Sequence, residues 1–295
     1  MKDTKLPVTV IGGYLGAGKT TLINRFLAGD HGKRVMVLVN DFGAINIDAR
    51  LLKSVEEDTI SLTNGCVCCT LGNDLFMAIS DVMKRNPGPD HLVIEASGIS
   101  NPKKIANTAI SDPALSYNGI ITVVDAENID NLLSDPLICT QVGDQIACAD
   151  LLVISKASVM PVGLINKLSS LSDGELILAN EVTDLQRLTF GELQDLPSIA
   201  LGNHHPTYAS WQYRGDISLN RSELVELLQE RPRGIYRAKG YVRSRNGSGW
   251  QVQVVGSKIS ITPENTCEQT TLVCIGSAMR FNTSDCEKWW TRAGT

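Results

Sequence analysis

Short apolar runs alternate with segments of helical periodicity through the first 201 residues of the chain. Continuous apolar runs of this kind are typical of strands that are covered on both faces. Their alternation with helical segments predicts an α/β fold, in which helices flank a mostly parallel sheet. The predicted strands are residues 8–11, 35–39, 92–94, 120–124, 151–154 and 176–178.

Two of the segments between these strands carry helix signals. Residues 22–27 place apolar side chains four positions apart, which brings them onto one face of a helix. A second pattern runs over residues 71–84 and ends before the Asn-Pro-Gly-Pro sequence at 86–89, which stops a helix. Both segments are predicted to be helices of the flanking layers.

The pattern changes in the last third of the chain. Residues 202–206 have the composition of a linker, and beyond them polar and apolar positions alternate as in half-buried strands. Asn220, with Glu223 three positions later, predicts a capped helix start. A turn sequence at 246–249 separates two further predicted strands, which favours a small α+β domain with an antiparallel sheet. The predicted domains are residues 1–201 and residues 207–295.

Charge and composition exclude several classes of protein. A formal net charge of −5 leaves no basic field for holding nucleic acid or an anionic membrane, so neither partner is predicted. No apolar run approaches the ~18 residues that a transmembrane helix needs, and the N-terminus lacks a secretory signal. Of the eight cysteines, three are crowded together and the rest are scattered, which favours free or metal-bound thiolates. These features predict a cytoplasmic protein.

The most specific motif follows the first predicted strand. Residues 13–20 match the Walker A pattern, G-x-x-x-x-G-K-[ST], between a strand and a helix. Glycines let backbone N–H groups turn toward phosphate oxygens, and the helix that starts near Lys19 adds the positive end of its dipole. Lys19 is predicted to reach the β- and γ-phosphates, and the Thr20 hydroxyl to bind Mg²⁺. The predicted nucleotide-binding residues here are Gly13, Gly16, Ala17, Gly18, Lys19, Thr20 and Thr21.

A second motif follows the strand at 92–94. Glu95 precedes Gly98 by three residues, which is the E-x-x-G form of a Walker B strand end. Phosphoryl transfer needs a carboxylate on the metal side and a sensor for the γ-phosphate. We therefore assign Glu95 to the water shell of Mg²⁺ and the Gly98 amide to the γ-phosphate, and count both with Lys19 as catalytic. A carboxylate that only caps the strand end is the alternative.

Asp41 and Asp48 follow the strand at 35–39, on the side of the sheet where the phosphate loop leaves. Ligands bind at such strand ends in open α/β sheets, so we predict a nucleotide-sensitive loop here, with Asp41 in the nucleotide site. Either acid would look the same in the sequence if it only formed a turn.

Cys66, Cys68 and Cys69 place three sulfur atoms within four residues. A shared divalent ion lowers the thiol pKa and so offsets the cost of bringing thiolates together. Zinc prefers four ligands, so water, another side chain or a partner protein would complete this site, and such an open site suits an ion that is passed on. A redox-active thiol pair and a buried turn are the alternatives. The predicted ion is Zn²⁺ or another divalent metal such as cobalt or iron.

The order of these motifs resembles one family. The phosphate loop, the segment at 40–48, Gly-Cys-Val-Cys-Cys at 65–69 and Glu-Ala-Ser-Gly at 95–98 follow one another as in the CobW-type GTPases. The resemblance implies GTP and Mg²⁺ as ligands, a Zn²⁺-like ion at the three cysteines, and a CobW C-terminal domain. It also implies a client metalloenzyme that receives metal or is activated, and it leaves a homodimer open. The likeness continues at residues 122–126, 145–150 and 237–242.

The chain departs from the family pattern at two positions. The guanine-reading motif N-K-x-D is here Ser155-Lys156-Ala157-Ser158. Ser155 and Lys156 remain predicted base-site residues, but the Ser158 hydroxyl cannot accept the two charge-assisted hydrogen bonds that a carboxylate accepts from guanine. We therefore predict weakened selectivity for guanine over adenine. Ala44 stands where many relatives carry a glutamate, so that carboxylate is absent from the loop.

The leading hypothesis is a GTP-hydrolysing metallochaperone or metalloenzyme activator. Triphosphate would order the loops at 40–48 and around Gly98, and hydrolysis would release them. Because the cysteine segment lies between these loops in the sequence, their movement is expected to change how firmly the metal is held. Two alternatives are a P-loop kinase that uses ATP on a small molecule, which would explain Ser158, and a non-catalytic, nucleotide-gated module that binds a client.

Overall fold

The computed structural model describes residues 5–28, 32–40, 59–62, 71–180, 189, 208–277 and 280–292. The chain divides into two compact units. The first comprises Met1–Ser172 and Leu176–Phe190, and the second comprises Asp173–Glu175 and Gly191–Thr295. The bounds predicted for the two domains, residues 201 and 207, lie outside the described residues and stay a prediction.

A seven-stranded sheet with the order β3-β2-β4-β1-β5-β6-β7 is the main feature of the first unit. Its pairings are parallel between β1 and both β4 and β5, between β2 and both β3 and β4, and between β5 and β6. Each of the six predicted strands lies within one of these strands, so the predicted parallel sheet is confirmed, and β3 is an additional strand. The strands are β1 (Leu6–Gly12), β2 (Val35–Asn40), β3 (Thr59–Leu62), β4 (His91–Glu95), β5 (Leu115–Asp125), β6 (Leu151–Ser155) and β7 (Glu175–Leu178).

Helices connect these strands, and both predicted helices are confirmed. Asn101 caps the third of them: its side chain accepts hydrogen bonds from the backbone N–H groups of Lys103 and Lys104, and Pro102 opens the helix. Every helix in the described ranges is too short or too polar to span a bilayer. The helices of this unit are α1 (Lys19–Ala28), α2 (Leu71–Met83), α3 (Pro102–Ala109), α4 (Ile129–Ser134), α5 (Cys139–Ala147) and α6 (Val162–Leu171).

Two clusters of buried apolar side chains hold these helices against the sheet. One joins β1 and β4 to α2 and α3, with Val10 and Ile79 among its members. The other joins β5 and β6 to α5 and α6, with Ile154 and Ile146 among its members. Each large side chain buried in this way contributes roughly 1.5–3 kcal/mol. The parallel pairing of β4, β1, β5 and β6 places their carboxyl ends along one edge of the sheet, where ligands bind in folds of this class.

The second unit is built on a five-stranded antiparallel sheet with the order β11-β10-β9-β12-β8. The predicted capping box is present, because the Asn220 side chain accepts from Glu223 N and the Glu223 side chain accepts from Asn220 N. The aromatic rings of Trp211, Trp289 and Trp290 meet in the core. The predicted α+β architecture is therefore confirmed. The elements are β8 (Tyr208–Gly215), α7 (Arg221–Gln229), β9 (Arg237–Arg243), β10 (Gly249–Val255), β11 (Lys258–Glu264), β12 (Thr270–Ser277) and α8 (Thr283–Thr291).

A buried carboxyl group in β7 makes the stability of the fold depend on pH. Glu175 is 3% exposed, and within the described part of the chain neither of its carboxyl oxygens has a hydrogen-bond partner. Burial raises the pKa of Glu175 to about 7, from 4.5 for an ordinary glutamate. Because the folded protein binds this proton more tightly than the unfolded chain, the free energy of unfolding falls as pH rises between these two values.

We expect Glu175→Gln to remove this loss of stability. At pH 8 the variant should be more stable than the wild type by on the order of 3 kcal/mol, and most of the difference should vanish at pH 5. Urea unfolding of both proteins at the two pH values measures it, with the exposed Glu226→Gln as control. A difference between the Glu175→Gln variant and the wild type that is the same at both pH values would contradict the expectation.

Candidate nucleotide site

The loop between β1 and α1 turns through three glycines with left-handed backbone. Gly13, Gly16 and Gly18 have φ angles of 133°, 74° and 99°, which residues with a side chain rarely adopt. At Gly13 an added Cβ atom would lie 2.4 Å from the carbonyl oxygen of Val123. Glycine is therefore required at this position for space as well as for conformation.

Lys19 is the first residue of α1, and its side chain folds back over this loop. The Nζ atom donates to the carbonyl oxygens of Gly13 at 3.0 Å and Tyr14 at 3.3 Å. Only 8% of Lys19 is exposed, and a buried ammonium group needs such acceptors or an anionic partner. Together with the positive end of the α1 dipole, it makes the loop suited to a phosphate group.

Thr20 and Glu95 meet, although they are 75 positions apart in the sequence. The Thr20 hydroxyl donates to Glu95 Oε1 at 2.9 Å, and Glu95 is 2% exposed. The pairing of β1 with β4 explains the meeting, because it sets Ile11 beside Glu95 immediately before the phosphate loop begins. Hydroxyl and carboxylate oxygens are ligands that Mg²⁺ prefers, so this donor set fits the ion.

Gly98 lies against the phosphate loop. An added Cβ atom at Gly98 would come within 2.5 Å of Leu15 Cδ2 and within 2.8 Å of the Leu15 backbone nitrogen. The loop that follows β4 is thus in close contact with the loop that follows β1. Lys19, Glu95 and Gly98, which the sequence predicts to be catalytic, are brought together here, and their catalytic roles stay predictions.

Ser155, the last residue of β6, touches the phosphate loop directly. Its Oγ atom lies 2.7 Å from the carbonyl oxygen of Ala17 and 3.2 Å from that of Val124. The next residue, Lys156, has a φ angle of 57°, which is uncommon for a residue other than glycine. Ser155 therefore lies beside the phosphate loop, and the contact of Ser155 and Lys156 with a base stays a prediction.

Asp125 contacts Lys156, one of the predicted base-site residues, although Asp125 itself was not among the predicted site residues. Its carboxylate accepts hydrogen bonds from Lys156 Nζ at 2.7 Å, from Asn128 Nδ2 at 2.7 Å and from Glu127 N at 3.0 Å. Burial acts to raise the pKa of Asp125, but these hydrogen bonds outweigh it and hold the pKa below its ordinary value. The hydrogen bond to Asp125 raises the pKa of Lys156 in turn. The two side chains form a fixed ion pair at the edge of the site.

A signal for Asp125 is present in the sequence. It follows the apolar run at 120–124, and a polar residue in that position lies at the carboxyl end of a strand, where the other site residues lie.

The remaining predicted residues stay predictions. Thr21 is exposed and follows Thr20 in the first turn of α1. Within the described ranges, no group of three or more His, Cys, Asp or Glu side chains is placed to hold a metal ion. The described cysteines, all free, are Cys139, Cys148, Cys267, Cys274 and Cys286. The predicted positions that lie outside the described residues are Asp41, Ala44, Asp48, Cys66, Cys68 and Cys69.

Base selectivity can be tested at Ser158, which is exposed. A carboxylate there would accept two hydrogen bonds from guanine, so we expect Ser158→Asp to raise the ratio of GDP to ADP affinity by roughly 30- to 150-fold, or about 2–3 kcal/mol. Ser158→Asn, which lacks the charge, is the matched control and should give a smaller gain. Equilibrium binding of GDP and ADP to the three proteins measures the effect. A wild-type preference for GDP above about a thousandfold would contradict the predicted weak selectivity.

The chain is similar to several known proteins. It is 33% identical over 239 residues to the zinc-regulated GTPase metalloprotein activator 1 of Schizosaccharomyces pombe, an alignment that spans 75% of this chain and 56% of that protein. It is 34% identical over 185 residues to the zinc chaperone CobW of a Sinorhizobium species, spanning 53% of this chain and 52% of that protein. The chain thus spans about half the length of these curated relatives.

Among solved structures, the Zn(II)-bound YjiA GTPase from E. coli is 20% identical, with a TM-score of 0.47, and the match covers 98% of this chain and 99% of that chain.

Two family models match the chain. The one described as cobalamin synthesis protein cobW C-terminal domain matches residues 208–287. The one described as CobW/HypB/UreG, nucleotide-binding domain matches residues 7–173, which is more than half of the chain. The chain therefore belongs to the CobW/HypB/UreG family and carries both its nucleotide-binding domain and a CobW C-terminal domain.

Proposed function

We propose that this protein is a GTP-hydrolysing metallochaperone or metalloenzyme activator. The observation that carries the proposal is the convergence of Lys19, Thr20 and Glu95 around a phosphate loop with left-handed backbone at three glycines. The names of the relatives, a zinc-regulated GTPase metalloprotein activator and a zinc chaperone, support the metal half of the proposal.

In the proposed reaction a water oxygen forms a bond to the γ-phosphorus of GTP, and the bond from that phosphorus to the oxygen that bridges the β- and γ-phosphates breaks. GDP leaves with the bridging oxygen, and the water proton leaves with the products, GDP and phosphate. The Lys19 ammonium group neutralises charge on the β- and γ-phosphates, and the Gly98 amide donates to the γ-phosphate. Mg²⁺, when bound, would supply further positive charge to the phosphate oxygens, and Thr20 and Glu95 are the residues that would hold it. Ser155 and Lys156 contact the base.

The proposed cargo is a Zn²⁺ ion, or a similar ion such as cobalt or iron, held by the thiolates of Cys66, Cys68 and Cys69. Three thiolates leave a fourth position of a tetrahedral ion open, which lets a ligand of the acceptor enter before the cysteines release the ion. Because the thiols lose their protons when they bind metal, binding should weaken as pH falls.

The acceptor is proposed to be a client metalloenzyme or apo-metalloprotein. Nucleic acid and membranes are not proposed as partners, and a homodimer stays a prediction. A cytoplasmic location is also proposed, because the described cysteines are free thiols, as expected in a reducing compartment.

The metal half of the proposal is tested by replacing all three cysteines with serine. After zinc loading, the zinc content of the purified protein should fall from about one ion per chain to almost none, because serine hydroxyls do not replace thiolates as zinc ligands. Elemental analysis measures this content. Cys139→Ser, outside the cluster, is the control and should keep the ion. Full zinc content in the triple variant would contradict the cysteine site.

The nucleotide half is tested by GTP turnover of the wild type in the presence of Mg²⁺. Release of phosphate from GTP without any acceptor supports the proposal. Tight GTP binding without turnover would favour a nucleotide-gated binding module, and ATP consumption that depends on a small acceptor would favour a kinase.

A further inference from the structure

Two glutamines on helix α5 hold the loop that carries Gly98. Gln145 Nε2 donates to the carbonyl oxygens of Gly98 at 3.0 Å and Ser100 at 2.9 Å. Gln141, one helical turn earlier, donates from Nε2 to the carbonyl oxygen of Ile99. Three consecutive carbonyl groups therefore accept hydrogen bonds from the side-chain amides of one helix.

Gln145 is itself firmly anchored. It is 2% exposed, and its backbone carbonyl accepts a hydrogen bond from Thr122 Oγ1 in β5 at 2.8 Å. After the end of α5, the carboxylate of Asp150 accepts hydrogen bonds from Ile120 N at 2.9 Å and from the Tyr117 hydroxyl, both also in β5. The C-terminal part of α5 is thus tied to β5 at Gln145 itself and again just beyond the end of the helix, so that Gln145 can act as a fixed support.

The supported loop also lies against the phosphate loop. Gly98 packs so closely on Leu15 that an added Cβ atom would lie 2.8 Å from the Leu15 backbone nitrogen. Within the loop, Ser97 O accepts from Ser100 N at 3.0 Å. Because the C=O and N–H groups of a trans peptide point in opposite directions, this bond also sets the direction of the Gly98 N–H group. The amide that is assigned to the γ-phosphate is therefore oriented by a loop that α5 holds in place.

We propose that Gln141 and Gln145 are positioning residues, which hold the loop at 97–100 so that the Gly98 amide is in place for the γ-phosphate of a nucleoside triphosphate. This inference rests on the proposed function. A nucleoside diphosphate has no γ-phosphate, so its binding does not need the loop to be held. A glutamine that only stabilises the fold would instead affect both nucleotides equally.

The test compares the affinities of Gln145→Met and Gln141→Ala for GDP and for a non-hydrolysable GTP analogue. Methionine keeps the length of the side chain and removes its donors, and Gln141 is only half-buried, so alanine there leaves the core intact. We expect each variant to bind the analogue about tenfold more weakly and to bind GDP within about threefold of the wild type. Hydrogen exchange of the segment at 97–100 should also become faster. Gln229→Met, at an exposed position on α7, is the control and should change neither quantity.

An equal effect on the two nucleotides, or no effect on either, overturns the inference. The binding measurement needs no turnover, so it separates this inference from the proposed function. If the wild type binds both nucleotides without hydrolysing GTP, the proposed hydrolysis is wrong. The affinity ratios of the variants still decide the role of the glutamines. Should Gln145→Met fail to fold, Gln141→Ala decides on the same measurements.

Discussion

Lys19→Met is expected to lower kcat/KM for GTP hydrolysis by about a thousandfold or more, because it removes the positive charge that we propose for the β- and γ-phosphates. Methionine keeps most of the aliphatic stem, so the packing at the start of α1 should be little changed. What is lost is the ammonium group that donates to the carbonyl oxygens of Gly13 and Tyr14. Steady-state phosphate release measures the effect.

The matched control for this variant is Lys84→Met. Lys84 follows α2, and its side chain is 72% exposed in an ion pair with Asp81, so removal of its charge should leave hydrolysis unchanged. Turnover by Lys19→Met within tenfold of the wild type would show that Lys19 is not the phosphate-binding lysine.

Gly98→Ala should lower kcat by about a hundredfold, since a shift of the catalytic loops by about 1 Å is enough for a loss of that size. The added methyl group would lie 2.5 Å from Leu15 Cδ2, but Leu15 is 60% exposed and its side chain can rotate away. The Leu15 backbone nitrogen, at 2.8 Å, has no such freedom unless the phosphate loop itself moves. Either this loop or the one after β4 must therefore shift.

Gly163→Ala is the control for the glycine substitution. Its Cβ atom would meet nothing within 4 Å, and its place in α6 should make alanine stabilising by up to about 1 kcal/mol. Phosphate release by both variants separates the clash with Leu15 from an effect that any glycine-to-alanine substitution would have. Thermal unfolding confirms that each variant is folded. A kcat of Gly98→Ala equal to that of the wild type would contradict the proposed role of Gly98 in GTP hydrolysis.

The parts of the fold that could be predicted from the sequence are those in which one local signal is enough. The apolar runs predicted the buried strands, because strands covered on both faces need continuous apolar sequence. The edge strand β3 was missed. Its sequence, Thr-Ile-Ser-Leu, alternates polar and apolar residues over only four positions. Such a pattern is too short to separate a strand from a loop.

The site was predictable where its residues belong to a motif. Thr20 and Glu95 were assigned from separate motifs, and the pairing of β1 with β4 brings them together. The ion pair of Asp125 with Lys156 and the contacts of Gln145 were missed, because no motif assigned a site role to Asp125 or to Gln145.

A weak signal for Gln145 does exist. It lies on the same helical stripe as the buried apolar residues Val142, Ile146 and Ala149. A buried polar side chain in an apolar stripe needs hydrogen-bond partners. The sequence therefore predicts that Gln145 has partners, but it does not identify them.

We propose that the state of the nucleotide changes how tightly Cys66, Cys68 and Cys69 hold a metal ion. The most direct test is the dissociation constant of Zn²⁺ for the full chain, measured by competition with a chelator, first with GDP bound and then with a non-hydrolysable GTP analogue. We expect the two constants to differ by about tenfold or more, and the replacement of Cys66, Cys68 and Cys69 by serine to abolish this Zn²⁺ binding in both nucleotide states. Equal constants in the two nucleotide states would contradict the coupling.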